Sequence, residues 1–162
     1  MDPPGSPYAL RRARPADLQA LIAMETSAFT GDRLSARSFR RHVESPRADL
    51  IVTAQNGEIA GYALNFYRAN STLARLYSIA VDETHRGRGL SSRMIGDLER
   101  KARQRGCDRL RLEVRIDNDG AIAAYEHMGF RPIGRIARYY EDGQTALRME
   151  KSLHSPTARL AA

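Results

Sequence analysis

The stretch from Leu73 to Ala102 changes its hydrophobic period once, and it does so across a pair of glycines. Leu73 to Val81 reads as a strand. Gly87 and Gly89 follow in an arginine-bearing turn, and Leu90, Met94, Leu98 and Ala102 then step by four with Ile95 beside them. A change from strand to helix period over a short glycine turn commits the chain to a strand packed beneath a helix. Glycine lets such a turn close tightly and lets another group approach its amides. The first turn of the helix presents N–H groups without intrahelical partners at the positive end of the helix dipole. The segment therefore predicts a phosphate or pyrophosphate site, with Arg86 and Arg88 adding charge. An ordinary strand-to-helix turn is the plainer reading of the segment taken alone. The Gly-Lys-Ser/Thr ending of a P-loop is missing, and Met94, Ile95 and Gly96 do not place the third glycine of a dinucleotide fingerprint. ATP and dinucleotide sites are disfavoured accordingly.

The flanking sequence supplies the other elements. Tyr8 to Arg12 predicts a first strand, and Leu18, Leu21, Ile22 and Phe29 a first helix that Gly31-Asp32 breaks. Phe39 and Val43 mark a second helix that ends before Pro46. Leu50 to Val52 and Ile59 to Tyr67 predict two strands around the hairpin signal Asn56-Gly57. After the long helix, which Gly106 closes, Leu110, Leu112 and Val114 alternate as a strand. Asn118 to Met128 predicts a helix stopped by Gly129. Ile133 to Tyr140 and Thr145 to Met149 predict two strands around Asp142-Gly143. The order is strand, two helices, three strands, helix, strand, helix, two strands, which is a mixed α/β domain with a central sheet.

At 162 residues the chain has the length of one domain, expected over residues 1–153, with 154–162 expected as a flexible tail. Its 42% hydrophobic content supports a sizeable core. No apolar run has the length of a membrane span, and Met1 to Pro7 lacks the apolar stretch of a signal peptide, so a cytoplasmic location is expected. The lone Cys107 excludes an intramolecular disulfide and predicts a buried, unreactive thiol. His42, His85, His127 and His154 show no metal-ligand spacing, so no metal is expected. The net charge of +7 rests almost wholly on arginine, since Lys101 and Lys151 are the only lysines. Arginine forks onto phosphate oxygens, but the charge alone fits a solvated surface, a polyanionic cofactor or proximity to RNA equally well.

Ile79-Ala80-Val81-Asp82 followed by Arg86-Gly87-Arg88-Gly89-Leu90-Ser91 resembles the acyl-CoA signature of the GNAT acetyltransferases, Gln/Arg-x-x-Gly-x-Gly/Ala after a strand. The likeness continues through Leu112-Glu113-Val114-Arg115, Asn118, Ala121-Ile122, Tyr125-Glu126, Gly129-Phe130, Tyr139-Tyr140 and Ala146-Leu147 with Met149. The chain resembles the RimI-type subgroup, the ribosomal-protein-alanine N-acetyltransferases. The departures are Ser91, where Gly or Ala is usual, and the segment Phe29 to Ser35, which lacks the Pro-Trp pair of that subgroup's substrate loop. The chain contains no Trp.

The resemblance implies a GNAT fold, a mixed but mostly antiparallel sheet of about seven strands with about four helices. It implies acetyl-CoA as the donor and an amine as the acceptor, with direct transfer in a ternary complex. Main-chain groups of Ile79, Ala80 and Val81 would bind the pantetheine arm and the thioester oxygen. Arg86, Gly87, Arg88, Gly89, Leu90, Ser91 and Ser92 would hold the pyrophosphate, and Asn118 the pantetheine arm. Glu113 is the expected base, against a plain surface pairing with Arg111 or Arg115. Tyr125 is the expected proton donor to the departing sulfur, against simple packing. Tyr139 and Tyr140 are expected to line the acceptor channel. An α-amine, with an unperturbed pKa near 7.7–8.0 against about 10.4 for Lys, suits a modest base. A protein N-terminus is therefore the expected acceptor, with a small-molecule amine as the alternative. A non-catalytic acyl-CoA sensor and a basic RNA module are minor alternatives. Neither nucleic-acid nor membrane binding is expected, and a monomer or homodimer is.

Overall fold

A computed structural model describes residues 5–154 of the chain. The expected tail residues 155–162 and the extreme N-terminus lie outside the described residues. Strands β1 (Ala9–Arg12), β2 (Ala48–Gln55), β3 (Glu58–Tyr67), β4 (Leu73–Val81), β5 (Arg109–Arg115), β6 (Arg131–Ile136) and β7 (Ala146–Ser152) form one sheet in the order β1-β2-β3-β4-β5-β7-β6. Helices α1 (Leu18–Ala28) and α2 (Ala36–Glu44) pack on one face, against Leu50, Val52, Tyr62 and Leu64. Helices α3 (Leu90–Gln104) and α4 (Asp119–His127) take the other face, where Ile51, Leu76, Leu110, Leu112 and Met149 meet the α3 stripe Met94, Ile95, Leu98 and Ala102.

Local chemistry sets the ends of these elements. Asn56 and Gly57 form a two-residue hairpin with φ of 51° and 82°, the pair of positive values a type I′ turn requires. Helix α3 ends in a Schellman motif: Gly106, at φ 86°, donates to the Arg103 carbonyl at 2.9 Å, and Cys107 donates to Ala102 at 2.9 Å. Helix α4 starts on Asn118, whose side-chain oxygen accepts from Ala121 N at 3.1 Å. It ends in a second Schellman motif, in which Gly129 donates to Glu126 and Phe130 to Tyr125, both at 3.0 Å. Each motif satisfies carbonyls that a helix end would otherwise leave unpaired.

Two irregularities shape the middle of the sheet. Strands β4 and β5 are the parallel pair, and they are in register only over Leu73–Arg75 and Arg109–Arg111. Beyond that point they separate, so their facing edges carry main-chain N–H and C=O groups with no strand partner. The β3–β4 ladder also shifts register between Leu64 and Asn65, because Leu64 faces Ser78 while Asn65 faces Leu76. The extra residue, Tyr77, lies on the α1/α2 face together with Ser78, and it is 47% exposed. A bulge of this kind re-aims the strand beyond it.

Three sequence expectations are refined. The β6 strand runs Arg131–Ile136, so Tyr139 and Tyr140 lie in the β6–β7 loop and not on a strand. Tyr140 accepts from Gly143 N at 2.8 Å while its own N–H donates to Gln144, so main-chain bonds within the turn replace the ladder there. Helix α1 stops at Phe29, two residues before Gly31. Cys107 precedes β5 and is buried, and burial pushes its thiol pKa up.

Candidate active site

The glycine turn stands at the end of β4. Gly87 and Gly89 have φ of 78° and 73°, and a Cβ built on either would meet nothing within 4 Å. Their backbone conformation, rather than crowding, requires glycine, and the space above both is open. Gly89 is the N-cap of α3 and offers no side chain to the first-turn amides, so the N–H groups of Leu90, Ser91 and Ser92 are not capped, and no acidic residue occupies that turn. Leu90 itself is buried against Tyr8 and Ala60, which anchors the helix start.

Three side-chain hydrogen bonds brace the turn. The Tyr8 hydroxyl lies 2.7 Å from His85 Nδ1 and accepts from Arg88 Nη1 at 3.1 Å, and Arg86 Nε donates to the Val81 carbonyl at 3.4 Å. His85 thus serves the turn. Tyr8 was not among the expected residues, because its partners are about eighty positions away in the chain. The result is an uncapped helix N-terminus, two open glycines and two guanidinium groups beside the free edges of β4 and β5. That arrangement suits a diphosphate on an extended arm, with the arm lying along the separated strands.

Glu113 lies on the α1/α2 face of β5, opposite the buried Leu112 and Val114. Its side chain is only 5% exposed and is held by Arg75 Nη2 on one oxygen and by Arg148 Nε at 3.1 Å on the other. The alternative of a plain surface pairing with Arg111 or Arg115 does not occur. Arg111 binds Glu150 at 2.7 Å, and Arg115 turns to the loop carboxylate Asp142. Arg75 Nη2 also donates to the Tyr139 hydroxyl at 2.7 Å. The cluster Glu113, Arg75, Arg148 and Tyr139 therefore sits beside the strand opening, and Tyr140 packs edge-on against Tyr139 at 5.0 Å. Loop contacts close one side: Glu141 N donates to Asp32 Oδ2 at 3.2 Å, and Asp32 N donates to Glu141 Oε2 at 3.4 Å.

Tyr125 lies on the opposite face of the sheet, on α4. Its ring meets Phe130 edge-on at 5.8 Å, and the same Schellman motif that ends the helix joins the two residues. Burial pushes its phenol up to about 12, so it holds its proton at neutral pH. Its hydroxyl has no hydrogen-bond partner among the described residues. The Asn118 side-chain oxygen caps α4, and its amide nitrogen has no hydrogen-bond partner among the described residues.

Behind β4 lies a network that sequence reasoning missed. Glu25 of α1 is buried, accepts from the Tyr62 hydroxyl and from Leu34 N at 2.6 Å, and Tyr62 in turn lies 3.0 Å from Ser78 Oγ. This ties α1, the segment after it and the β4 bulge together, immediately before Ile79–Val81. Among the described residues no helix is long and apolar enough to cross a membrane, and no group of three potential metal ligands occurs.

Comparison with known proteins agrees with this geometry. Residues 18–130 match the model of the acetyltransferase (GNAT) family. The chain is 32% identical over 146 residues to the N-alpha-acetyltransferase RimI of Mycobacterium tuberculosis, covering 88% of this chain and 90% of that protein. It is 26% identical over 160 residues to an N-alpha-acetyltransferase of Sulfurisphaera tokodaii, covering 92% and 95% of the two chains. Its fold is similar to the crystal structure of the ribosomal-protein-alanine N-acetyltransferase of Escherichia coli, with TM-score 0.79 and 29% identity over 91% and 95% of the two chains. With family match, relatives and site geometry in agreement, this chain belongs to the GNAT acetyltransferase family and is an acetyl-CoA-dependent N-acetyltransferase.

Proposed function

We propose that the chain acetylates the α-amino group of a protein N-terminus by direct transfer from acetyl-CoA. The observation that carries this reading is the opening between β4 and β5, with the open glycine turn at its end and the buried Glu113 carboxylate beside it. The relatives named above point to the same acceptor class.

In this reading the amides of Gly87 to Ser92, with Arg86 and Arg88, hold the pyrophosphate. The free β4 edge at Ile79, Ala80 and Val81 holds the pantetheine arm and offers an N–H to the thioester oxygen. Asn118 donates its side-chain amide to the same arm. When bound, acetyl-CoA supplies the activated acyl group. Glu113 takes the proton of the incoming ammonium, directly or through one water, and Arg75 and Arg148 fix its carboxylate in place. Tyr125 gives its phenolic proton to the departing sulfur, a role its raised pKa keeps available at neutral pH, and the second proton shed by the nitrogen as the amide forms restores the phenol through solvent. Tyr139 and Tyr140 flank the acceptor. No covalent acetyl-enzyme is needed, because the amine attacks the thioester carbon itself.

The test is an acceptor screen of the full chain with acetyl-CoA, comparing N-terminal peptides, internal-lysine peptides, polyamines and amino acids. The highest kcat/KM is expected on a peptide N-terminus. Turnover of a small amine with none on any peptide overturns the proposal.

A further inference from the structure

We infer that the acceptor is a protein N-terminus whose following residues are acidic, and that it lies in a basic groove between α2 and β4. This rests on the proposed N-terminal activity and specifies its substrate.

The groove, about 360 Å³, is lined by Leu34, Arg41, His42, Arg47, Phe66 and Tyr77 among others, and no carboxylate lines it. It lies on the sheet face that carries Glu113. The upper end is Tyr77, the residue the β4 bulge pushes out, and the Arg75 guanidinium lies 5.9 Å from the Tyr77 ring centre. Arg75 is also the group that holds Glu113, so the groove opens beside the carboxylate that is to receive the acceptor's proton. Its Nε is buried with no hydrogen-bond partner, a donor still to be satisfied at this end. The floor is a run of rings in tilted contact, Tyr77 with Phe66 at 4.6 Å and Phe66 with His42 at 4.6 Å. The lower end passes through Arg47 and Tyr67 into a second depression of about 410 Å³, which adds Arg68 and Arg105 and again no carboxylate.

The charges along this path do not cancel. Arg41, Arg47 and Arg68 are exposed, and none has an ion-pair partner among the described residues. Arg105 is committed to Asp49 at 3.0 Å. Farther along the same sheet face, Arg111 pairs with Glu150 and Arg109 with Glu150 and Asp108, while Arg131, opposite Glu150 on β6, has no ion-pair partner among the described residues. Acidic side chains near the mouth, Asp32, Glu141 and Asp142, belong to the two loops beside Tyr139 and Tyr140. Asp142 is paired with Arg115, while Asp32 and Glu141 have no ion-pair partner among the described residues, so an ammonium group meets those two carboxylates at the entrance. The chain behind it then meets an aromatic floor between cationic walls, which favours carboxylates and disfavours lysine and arginine. A nucleic acid would meet the same cations. The groove's start beside Glu113, where an amine must arrive, favours the acceptor's own chain as its occupant.

The experiment compares three peptides that share their first two residues and then continue with glutamates, with glycine and serine, or with lysines. The full chain acetylates them with acetyl-CoA at low and at raised salt. The acidic peptide is expected to exceed the neutral one by about tenfold in kcat/KM, mostly through KM, with the gap shrinking as salt is added. The lysine peptide is expected to be poorest. The double change Arg41→Glu with Arg47→Glu is expected to bring the acidic-to-neutral ratio towards one. The salt response of the unaltered chain gives an answer that does not depend on that variant folding. Equal kcat/KM on acidic and neutral peptides overturns this inference and leaves the N-terminal activity standing. The same holds for equal rates combined with tight binding of a single-stranded RNA, which would assign the groove to nucleic acid. Acetylation of a small amine and of no peptide overturns the activity and the inference together.

Discussion

Arg75 on β4 and Glu113 on β5 form an ion pair across the point where the two strands separate. The pair bridges the opening that the acetyl donor is proposed to enter, and Arg148 holds the second carboxylate oxygen from β7. Replacing the carboxylate keeps the shape and removes the proton acceptor. Glu113→Gln is therefore expected to lower kcat by about 10²–10⁴-fold, with acetyl-CoA affinity within about twofold. Arg75→Gln is expected to act more weakly, because Arg148 still holds the carboxylate. Steady-state kinetics alongside calorimetric titration with acetyl-CoA checks both. Unchanged turnover in Glu113→Gln would remove the base assignment.

In the proposed mechanism Tyr125 serves the chemistry at the end of α4, while Phe130 serves the packing. Tyr125→Phe removes only the hydroxyl, which has no hydrogen-bond partner among the described residues, so stability is expected to hold within about 0.5 kcal/mol while kcat falls. Phe130 is fully buried, and Phe130→Ala is expected to cost about 3–5 kcal/mol of folding stability. Urea unfolding and single-turnover kinetics on both variants separate the two roles. A Tyr125→Phe enzyme as fast as the parent would leave Tyr125 a packing residue.

Two glycines in the same backbone region give a controlled comparison. Gly89 and Gly106 both have positive φ, 73° and 86°, and neither would place a Cβ within 4 Å of another group. Gly89→Ala and Gly106→Ala are each expected to cost about 1 kcal/mol of stability through left-handed strain. Only the change at Gly89, at the open start of α3, is expected to weaken acetyl-CoA binding as well. Denaturation curves and titration calorimetry read both effects. Equal acetyl-CoA affinity in the two variants would argue against the pyrophosphate assignment.

Acid stability has an identifiable contributor at the start of α1. The Asp17 carboxyl is held below its ordinary range first by the hydrogen bond from Arg11, and further by the Arg14 amide, against the opposing effect of burial. Both Arg11 bonds are short, at 2.7 and 2.9 Å. A depressed folded pKa adds stability that is complete above the unfolded value near 3.9 and is lost as pH falls through the lower folded value. Asp17→Asn is expected to cost about 2 kcal/mol at pH 7 and progressively less as pH drops below about 4. Urea midpoints across that range check the slope. A cost independent of pH would show that packing, not charge, sets the contribution.

The order of elements, the glycine stops of α3 and α4, the Asn56-Gly57 hairpin and the glycine turn could all be read in the linear chain. Each depends on interactions within a few residues: the periods of Met94, Ile95 and Leu98, the positive φ of Gly106 and Gly129, the Asn56-Gly57 pair. Glu113 and Tyr125 were legible through the resemblance to the GNAT acetyltransferases. What surrounds them was not. Glu113 pairs with Arg75 and Arg148, which are 38 and 35 positions away, and ignores the adjacent arginines. Strand register chose those partners: Arg111 and Arg115 share Glu113's face but sit two places along the strand, while Arg148 lies directly opposite on β7 and Arg75 reaches across from β4. Register also made the β4 bulge that exposes Tyr77 beside Ser78, and it parted β4 from β5 after three paired residues. No spacing in the chain encodes such shifts, because they arise from how separate strands pack against a common pair of cores.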